Sequence, residues 1–262
     1  MVNFISAKSD EGVTERIFEL SVLGQRVPAA IWSPENAIGP RPLILMGHGG
    51  SQHKRIGSLS KRAKYFAQRL GFATLSIDAP GHGERVSREE ALKLAREVSD
   101  RVQGVGGTVG PSPEMLKAMA ESVKTAVPEW KAALDVVQTL DFVGNHENVG
   151  YWGLSMGSVI GIPLVSVEPR IKCAVFGLIG LHPGTKELQA AAASITVPIE
   201  FIFQWDDPIA PRDTGIALYN AFGSKDKAMH IHPGGHLATP AYEGDSWQAF
   251  FARHLIDHKR HL

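Results

Sequence analysis

The sequence predicts an α/β fold: a mostly parallel central sheet covered by helices on both faces, with an inserted helical lid. Short apolar runs, each ending in a turn-rich loop, alternate along the chain with amphipathic helical segments, the pattern of a parallel sheet joined by helical crossovers. At 262 residues the chain suits one large α/β domain spanning residues 1–262. Its 44% hydrophobic and 21% charged residues are the proportions of a well-packed globular protein and exclude a disordered chain.

The elements follow in order. Residues 16–22 and 26–32 alternate in polarity around Leu23-Gly24-Gln25 and read as an antiparallel hairpin. Leu43 to Met46 is a buried strand that runs into Gly47-His48-Gly49-Gly50. The spacing of Leu59, Ala63, Tyr65, Phe66 and Leu70 predicts a helix over 58–70, with Gly71 placed to end it. A second buried strand, 72–77, delivers Asp78-Ala79-Pro80-Gly81-His82-Gly83.

Residues 84–127 depart from the alternation and read as the lid. A helix over 87–101 has Ser87 as N-cap and Glu89 and Glu90 in its first turn. The glycine-rich stretch 104–107 breaks it and reads as a flexible lid turn, since it follows a helix where a dinucleotide fingerprint needs a strand. A further helix from Pro113 is expected to end near Val127, with Pro128 starting a new one to Leu140. Strands over 148–152, 172–178, 198–204 and 228–232 then alternate with helices starting at Ser155, over 185–193 and over 242–258.

Charge and cysteine usage narrow the function classes. Lys plus Arg and Asp plus Glu both number 27, so no global field draws in a polyanion and nucleic acid is not expected as a partner. The single cysteine, Cys173, lies in an apolar strand and is expected to be buried and without a disulfide. The start of the chain lacks a signal-peptide pattern and no apolar run reaches membrane-spanning length, so no membrane association and a cytoplasmic location are expected. Neither a Walker loop nor an HExxH pattern occurs, and no cofactor or metal is expected.

The chemistry concentrates in Gly153-Leu154-Ser155-Met156-Gly157, a G-x-S-x-G elbow between a predicted strand and a predicted helix. An unactivated serine is a poor nucleophile at neutral pH, so it needs a base within hydrogen-bond reach and a carboxylate to orient that base. The chain offers Ser155, Asp207 and His236 in that order, each in a loop after a predicted strand. Of the 11 histidines, His236 follows two glycines that let its loop approach a site closely. His230 and His232 alternate along a strand and read as packing or surface residues, and His48 and His82 as ties between neighbouring loops.

His48-Gly49-Gly50, Asp78 to Gly83, Gly153 to Gly157, Asp206-Asp207-Pro208-Ile209-Ala210-Pro211 and Gly234-Gly235-His236 together resemble the α/β-hydrolase superfamily. The likeness leans to its esterase, dienelactone-hydrolase-like and prolyl-oligopeptidase-like branches and covers nearly the whole chain except the lid. It implies Ser155 as nucleophile, His236 as general base and Asp207 as orienting acid, because the family's aspartate directly precedes a Pro-containing turn; Asp206 stays open as the alternative. It also implies an oxyanion hole from the backbone amides of Met156 and Gly50, with Ser51 the alternative to Gly50.

The implied activity is hydrolysis of a small-molecule carboxylic ester through an acyl-enzyme on Ser155. A peptidase, amidase or lactone hydrolase would share these residues, and a catalytically silent hydrolase fold used as a binding protein is the rival from another class. A serine at 155 departs from dehalogenases, which carry aspartate there, and from dienelactone hydrolases proper, which carry cysteine. Met115, Leu116 and Met119 suit an apolar acyl or alcohol group and suit core packing equally well, and His182, just past a predicted strand end, is a candidate to line the cleft. The sequence names neither that group nor an oligomeric state.

Overall fold

The computed structural model describes residues 2–104, 110–145 and 148–256. Strands β1 (Phe4–Asp10), β2 (Val13–Val22) and β3 (Gln25–Pro34) form an antiparallel meander. Leu23 and Gly24, at φ 50° and 77°, make the two-residue turn between β2 and β3. Positive φ at both central positions matches the twist of the flanking strands. The hairpin is the one the alternation predicts, while β1 was not anticipated: it is largely exposed and pairs with β2 alone.

The remaining strands are β4 (Leu43–Gly47), β5 (Ala73–Ile77), β6 (Val149–Gly153), β7 (Ile171–Gly177), β8 (Ile199–Gln204) and β9 (Lys227–His232). The sheet order is β1-β2-β3-β5-β4-β6-β7-β8-β9, antiparallel from β1 to β5 and parallel from β5 to β9. All of β4, β5, β6 and β8 are buried, and β4 accordingly reads as a continuous apolar run, while β5 and β8 carry buried polar residues such as Thr74 and Glu200. Cys173 is buried and free on β7.

The helices are α1 (Gly57–Leu70), α2 (Arg88–Val102), α3 (Pro113–Val137), α4 (Met156–Val167), α5 (Lys186–Ser194), α6 (Arg212–Ala221) and α7 (Glu243–Leu255). One face of the sheet packs under α1 and α7 through Leu59, Phe66, Trp247 and Phe251. The other packs under α3, α4, α5 and α6 through Trp130, Leu134, Ile162, Ala192 and Leu218. Helix α1 ends where expected: Gly71 is left-handed at φ 70° and its amide donates to the Ala67 carbonyl. Helix α2 carries the anticipated cap as a reciprocal box, the Glu90 amide donating to Ser87 Oγ and the Ser87 amide to Glu90 Oε2.

One expectation fails. Pro128 does not separate two helices; α3 runs unbroken from Pro113 to Val137 with Pro128 inside it. Tertiary packing outweighs the lost backbone hydrogen bond. The turns after Pro128 bury Trp130, Ala133, Leu134 and Val137, and Glu129, itself buried, takes two hydrogen bonds from the Arg85 guanidinium at 2.7 and 2.8 Å. Helix α6 was not among the expected elements; it buries only Gly215 and Leu218, so its amphipathic pattern is weak. Of the glycine-rich lid turn only Gly104 is among the described residues; 105–107 lie outside them, as do residues 257–258 of the last expected helix, and α7 ends at Leu255.

Candidate active site

The parallel strands end along one edge of the sheet, and the loops that leave β4, β5, β6, β8 and β9 there bring His48, Asp78, Ser155, Asp207 and His236 into one neighbourhood. Crevices at the carboxyl ends of parallel strands are where ligands bind in open α/β sheets.

Ser155 sits between β6 and α4 at φ 55°, ψ −121°, a backbone conformation foreign to side-chain-bearing residues. The bend is tight enough to exclude side chains around it. A Cβ on Gly157 would stand 2.6 Å from the Gly47 carbonyl oxygen, and one on Gly153 would stand 2.9 Å from the carbonyl group of Gly157. The bend is also tied down: the Ser155 amide donates to the Gly177 carbonyl at 2.8 Å, and buried Ser158 links the Gly153 carbonyl to the end of β7. Tyr151, fully buried, donates from its hydroxyl to the Gly157 carbonyl at 2.6 Å, and burial raises its phenol well above the usual tyrosine value.

Three side chains far apart in sequence meet here. His236 Nε2 lies 3.0 Å from Ser155 Oγ, and His236 Nδ1 lies 2.7 Å from Asp207 Oδ2. With the proton on Nδ1, the ring donates to Asp207 and accepts from the serine hydroxyl. Asp207 is held in turn, its Oδ1 accepting from the amides of Ile209 at 2.8 Å and Ala210 at 3.2 Å. His236 and Asp207 are 5% and 4% exposed, so the ion-pairing face of the imidazole is shielded from water. Asp206, the neighbouring candidate, instead accepts from the Gly234 amide at 3.1 Å and ties its own loop to the histidine loop.

Gly50, on the loop after β4, and Met156, the first residue of α4, line the same cavity as Ser155. Among the described residues neither backbone amide donates to a protein acceptor. Ser51, the alternative, has a positive φ of 59° in the same loop.

His48 and His82 take structural places. Buried His48 donates from Nδ1 to the Gly49 carbonyl and accepts the Ala79 amide at Nε2, joining the loops after β4 and β5. Burial pushes its pKa down to about 4, so it is neutral at pH 7. His82 bonds the Pro80 carbonyl, and burial lowers its pKa as well.

Beside them lies an arrangement that sequence reasoning missed. Asp78 accepts from the Lys54 amide and ammonium, at 2.8 and 2.9 Å, and from the Glu84 amide at 3.0 Å. Burial by itself would raise the Asp78 carboxyl, but these donors hold it below the usual carboxylate range. The available signal was a carboxylate directly after a buried strand, where only a specific partner justifies a charge.

A cavity of about 360 Å³ opens on one side of Ser155 and His236. Its wall is mainly apolar, from Met115, Leu116 and Met119 of α3, Ile160 of α4, Ile179 and Leu188. His182, anticipated at the cleft, lines it together with Arg101 of α2. Burial and the Arg101 charge lower the His182 pKa. A second cavity of about 400 Å³ meets the same serine and histidine from the side of the 47–52 loop, Arg62 and the adjacent flank of α2, with Val98 lining both. Helix α2 therefore separates two spaces that share one reactive centre.

No protein-family model matches the sequence, and no curated protein matches it. Solved structures do. A PEG-bound cold-adapted esterase from an Arctic intertidal metagenomic library is 30% identical over 97% of this chain and 99% of its own, with a TM-score of 0.79. An acetyl xylan esterase from a Paenibacillus species is 16% identical over 97% of this chain and 88% of its own, with a TM-score of 0.73. An acylaminoacyl peptidase of Pyrococcus horikoshii is 14% identical over 94% of this chain and 42% of its own, with a TM-score of 0.69. At such identities the last two speak for the fold alone. Among the described residues no helix is long and apolar enough to cross a membrane.

Proposed function

The chain belongs to the α/β-hydrolase superfamily, and on that premise we propose that it is a serine esterase acting on small-molecule carboxylic esters through an acyl-enzyme on Ser155. The observation that carries this reading is the unbroken chain of contacts from Asp207 through His236 to Ser155 Oγ. The esterase named in the 30% identical structure supports an ester bond as the target.

In the proposed reaction Ser155 Oγ attacks the ester carbonyl carbon while His236 Nε2 takes the hydroxyl proton. Asp207 fixes the imidazole tautomer and stabilises the imidazolium that forms. The tetrahedral oxyanion is received by the amides of Gly50 and Met156, the second at the N-terminus of α4, where the helix dipole adds to the field. Collapse breaks the carbonyl carbon–alkoxy oxygen bond, and His236 returns its proton to the leaving alcohol. Water, deprotonated by His236, then attacks the acyl-enzyme and releases the acid with Ser155 restored. We assign residues 84–127 the role of a lid within a single domain, roofing the apolar cavity from α2 and the first turns of α3.

Ser155→Ala tests the reading. Turnover of a short-chain p-nitrophenyl ester is expected to vanish with circular dichroism unchanged, and the wild type is expected to label with a fluorophosphonate probe. Turnover retained by the folded variant would overturn it.

A further inference from the structure

A cluster of ionisable side chains lies apart from the serine, where β8, the edge strand β9 and the first turn of α7 meet. Glu200 projects from β8 and His230 from β9, on the face of the sheet that α7 covers, and Glu243 opens α7. Glu200 and Glu243 are 5% and 2% exposed. Such carboxylates require pairing or a metal, yet among the described residues neither forms a salt bridge with a lysine or arginine. Arg253 acts on Glu200 only through its more distant field. The hydrogen bonds that Glu200 has are long, both from Ser246 Oγ at 3.4 Å.

Between the two carboxylates stands His230 Nδ1, 3.1 Å from Glu243 Oε2 and 3.9 Å from Glu200 Oε1. One donor atom from each of the three residues falls within 4.8 Å of the others. Donors bound to one zinc ion at about 2.1 Å in a tetrahedron stand roughly 3.4 Å apart, so small side-chain shifts bring these to bonding distance. A second layer is already in place. His232 Nε2 holds Glu243 Oε1 at 2.6 Å, while its Nδ1 accepts from the Tyr242 hydroxyl at 3.2 Å, fixing the carboxylate as an outer-shell partner fixes a metal ligand. His230, 30% exposed at its side chain, leaves a path from solvent.

We propose that Glu200, His230 and Glu243 bind a divalent transition-metal ion of the zinc type, with His232 orienting Glu243. Two carboxylates and one imidazole are a borderline-hard donor set suited to such an ion, with the fourth position left to water. Its role follows from where the ligands sit. His230 precedes and Glu243 follows the loop that carries His236, so the ion clamps both ends of that loop to β8 and braces the fold.

The test uses the full chain, stripped with chelator and returned to buffer at neutral pH. Titration calorimetry with zinc chloride is expected to give one saturable site, and zinc at 100-fold over its dissociation constant to raise Tm by about 5 °C or more. Cobalt(II) is expected to show the intense visible bands of a four- or five-coordinate site. Glu200→Gln and His230→Gln, which keep side-chain volume, are expected to weaken zinc binding by about 100-fold or more, and His232→Gln by roughly 10-fold. Ser155→Ala is expected to bind zinc as the wild type does, so the result stands apart from the hydrolase reading. Absence of saturable zinc binding, or binding unchanged in both Glu200→Gln and His230→Gln, would overturn the proposal. Should a variant lose its native circular dichroism, the cobalt spectrum of the wild type decides: bands of a six-coordinate hydrated ion would reject the site.

Discussion

Asp207 Oδ2 lies 2.7 Å from Nδ1 of His236, whereas the carboxylate one residue earlier faces a backbone amide of the histidine loop. A single step along the chain thus separates the group that orients the base from one that fastens a loop. Asp207→Asn is expected to lower kcat for a p-nitrophenyl ester by roughly 10,000-fold, because the amide no longer holds the tautomer with its proton on Nδ1. Asp206→Asn keeps an oxygen for the Gly234 amide and is expected to change kcat by less than about tenfold; steady-state kinetics of the pair decide the assignment.

The backbone of Ser155, at φ 55° and ψ −121°, is one that glycine adopts without strain. Replacing the serine with glycine is therefore expected to raise unfolding stability by about 1 kcal/mol while abolishing turnover. Urea denaturation of the two proteins measures the difference, and a clear loss of stability would contradict the strain at this bend.

Gly157 has no room for a methyl group, with the Gly47 carbonyl oxygen 2.6 Å from the position of its Cβ. Gly157→Ala is expected to cost about 1–3 kcal/mol in denaturant unfolding. It is also expected to lower kcat more than it raises KM, since the displaced loop continues into Gly50.

His48 gives stability a pH dependence. Its folded pKa of about 4 lies below the ordinary histidine value of 6.5, so between these values the unfolded chain binds the extra proton and the native state does not. The contribution is complete above pH 6.5 and is lost as pH falls toward 4. Relative to His48→Gln, the wild type is expected to lose about 1 kcal/mol more stability per pH unit across that window. Parallel denaturation curves of the two proteins at pH 7 and pH 5 would contradict this.

Met119 lines the apolar cavity beside Ser155. Met119→Trp fills part of that space, so the ratio of kcat/KM for a hexanoate ester to that for an acetate ester is expected to fall about tenfold or more. An unchanged ratio would place the variable group of the substrate in the second cavity, on the side of Arg62.

The elements that the sequence revealed are those whose local pattern and tertiary setting agree. The buried strands β4 and β6 show as apolar runs, α1 stops at Gly71, and α2 begins at the box formed by Ser87 and Glu90. Strand β1 and helix α6 lack a strong pattern, and Pro128 signals a break that the burial of Trp130 and the Arg85–Glu129 pairing overrule.

The candidate site divides in the same way. The Gly-Leu-Ser-Met-Gly elbow is legible because a tight bend imposes its residue types on adjacent positions, and the order of serine, acid and histidine is legible through the resemblance to the α/β-hydrolase superfamily. Which aspartate faces His236, how α2 parts two cavities, and the meeting of Glu200 with His230 and Glu243 were decided only by the tertiary structure. Local sequence governs backbone conformation through steric exclusion within a few residues; the direction of a carboxylate and the company of a buried charge depend on strands and helices brought together from distant parts of the chain.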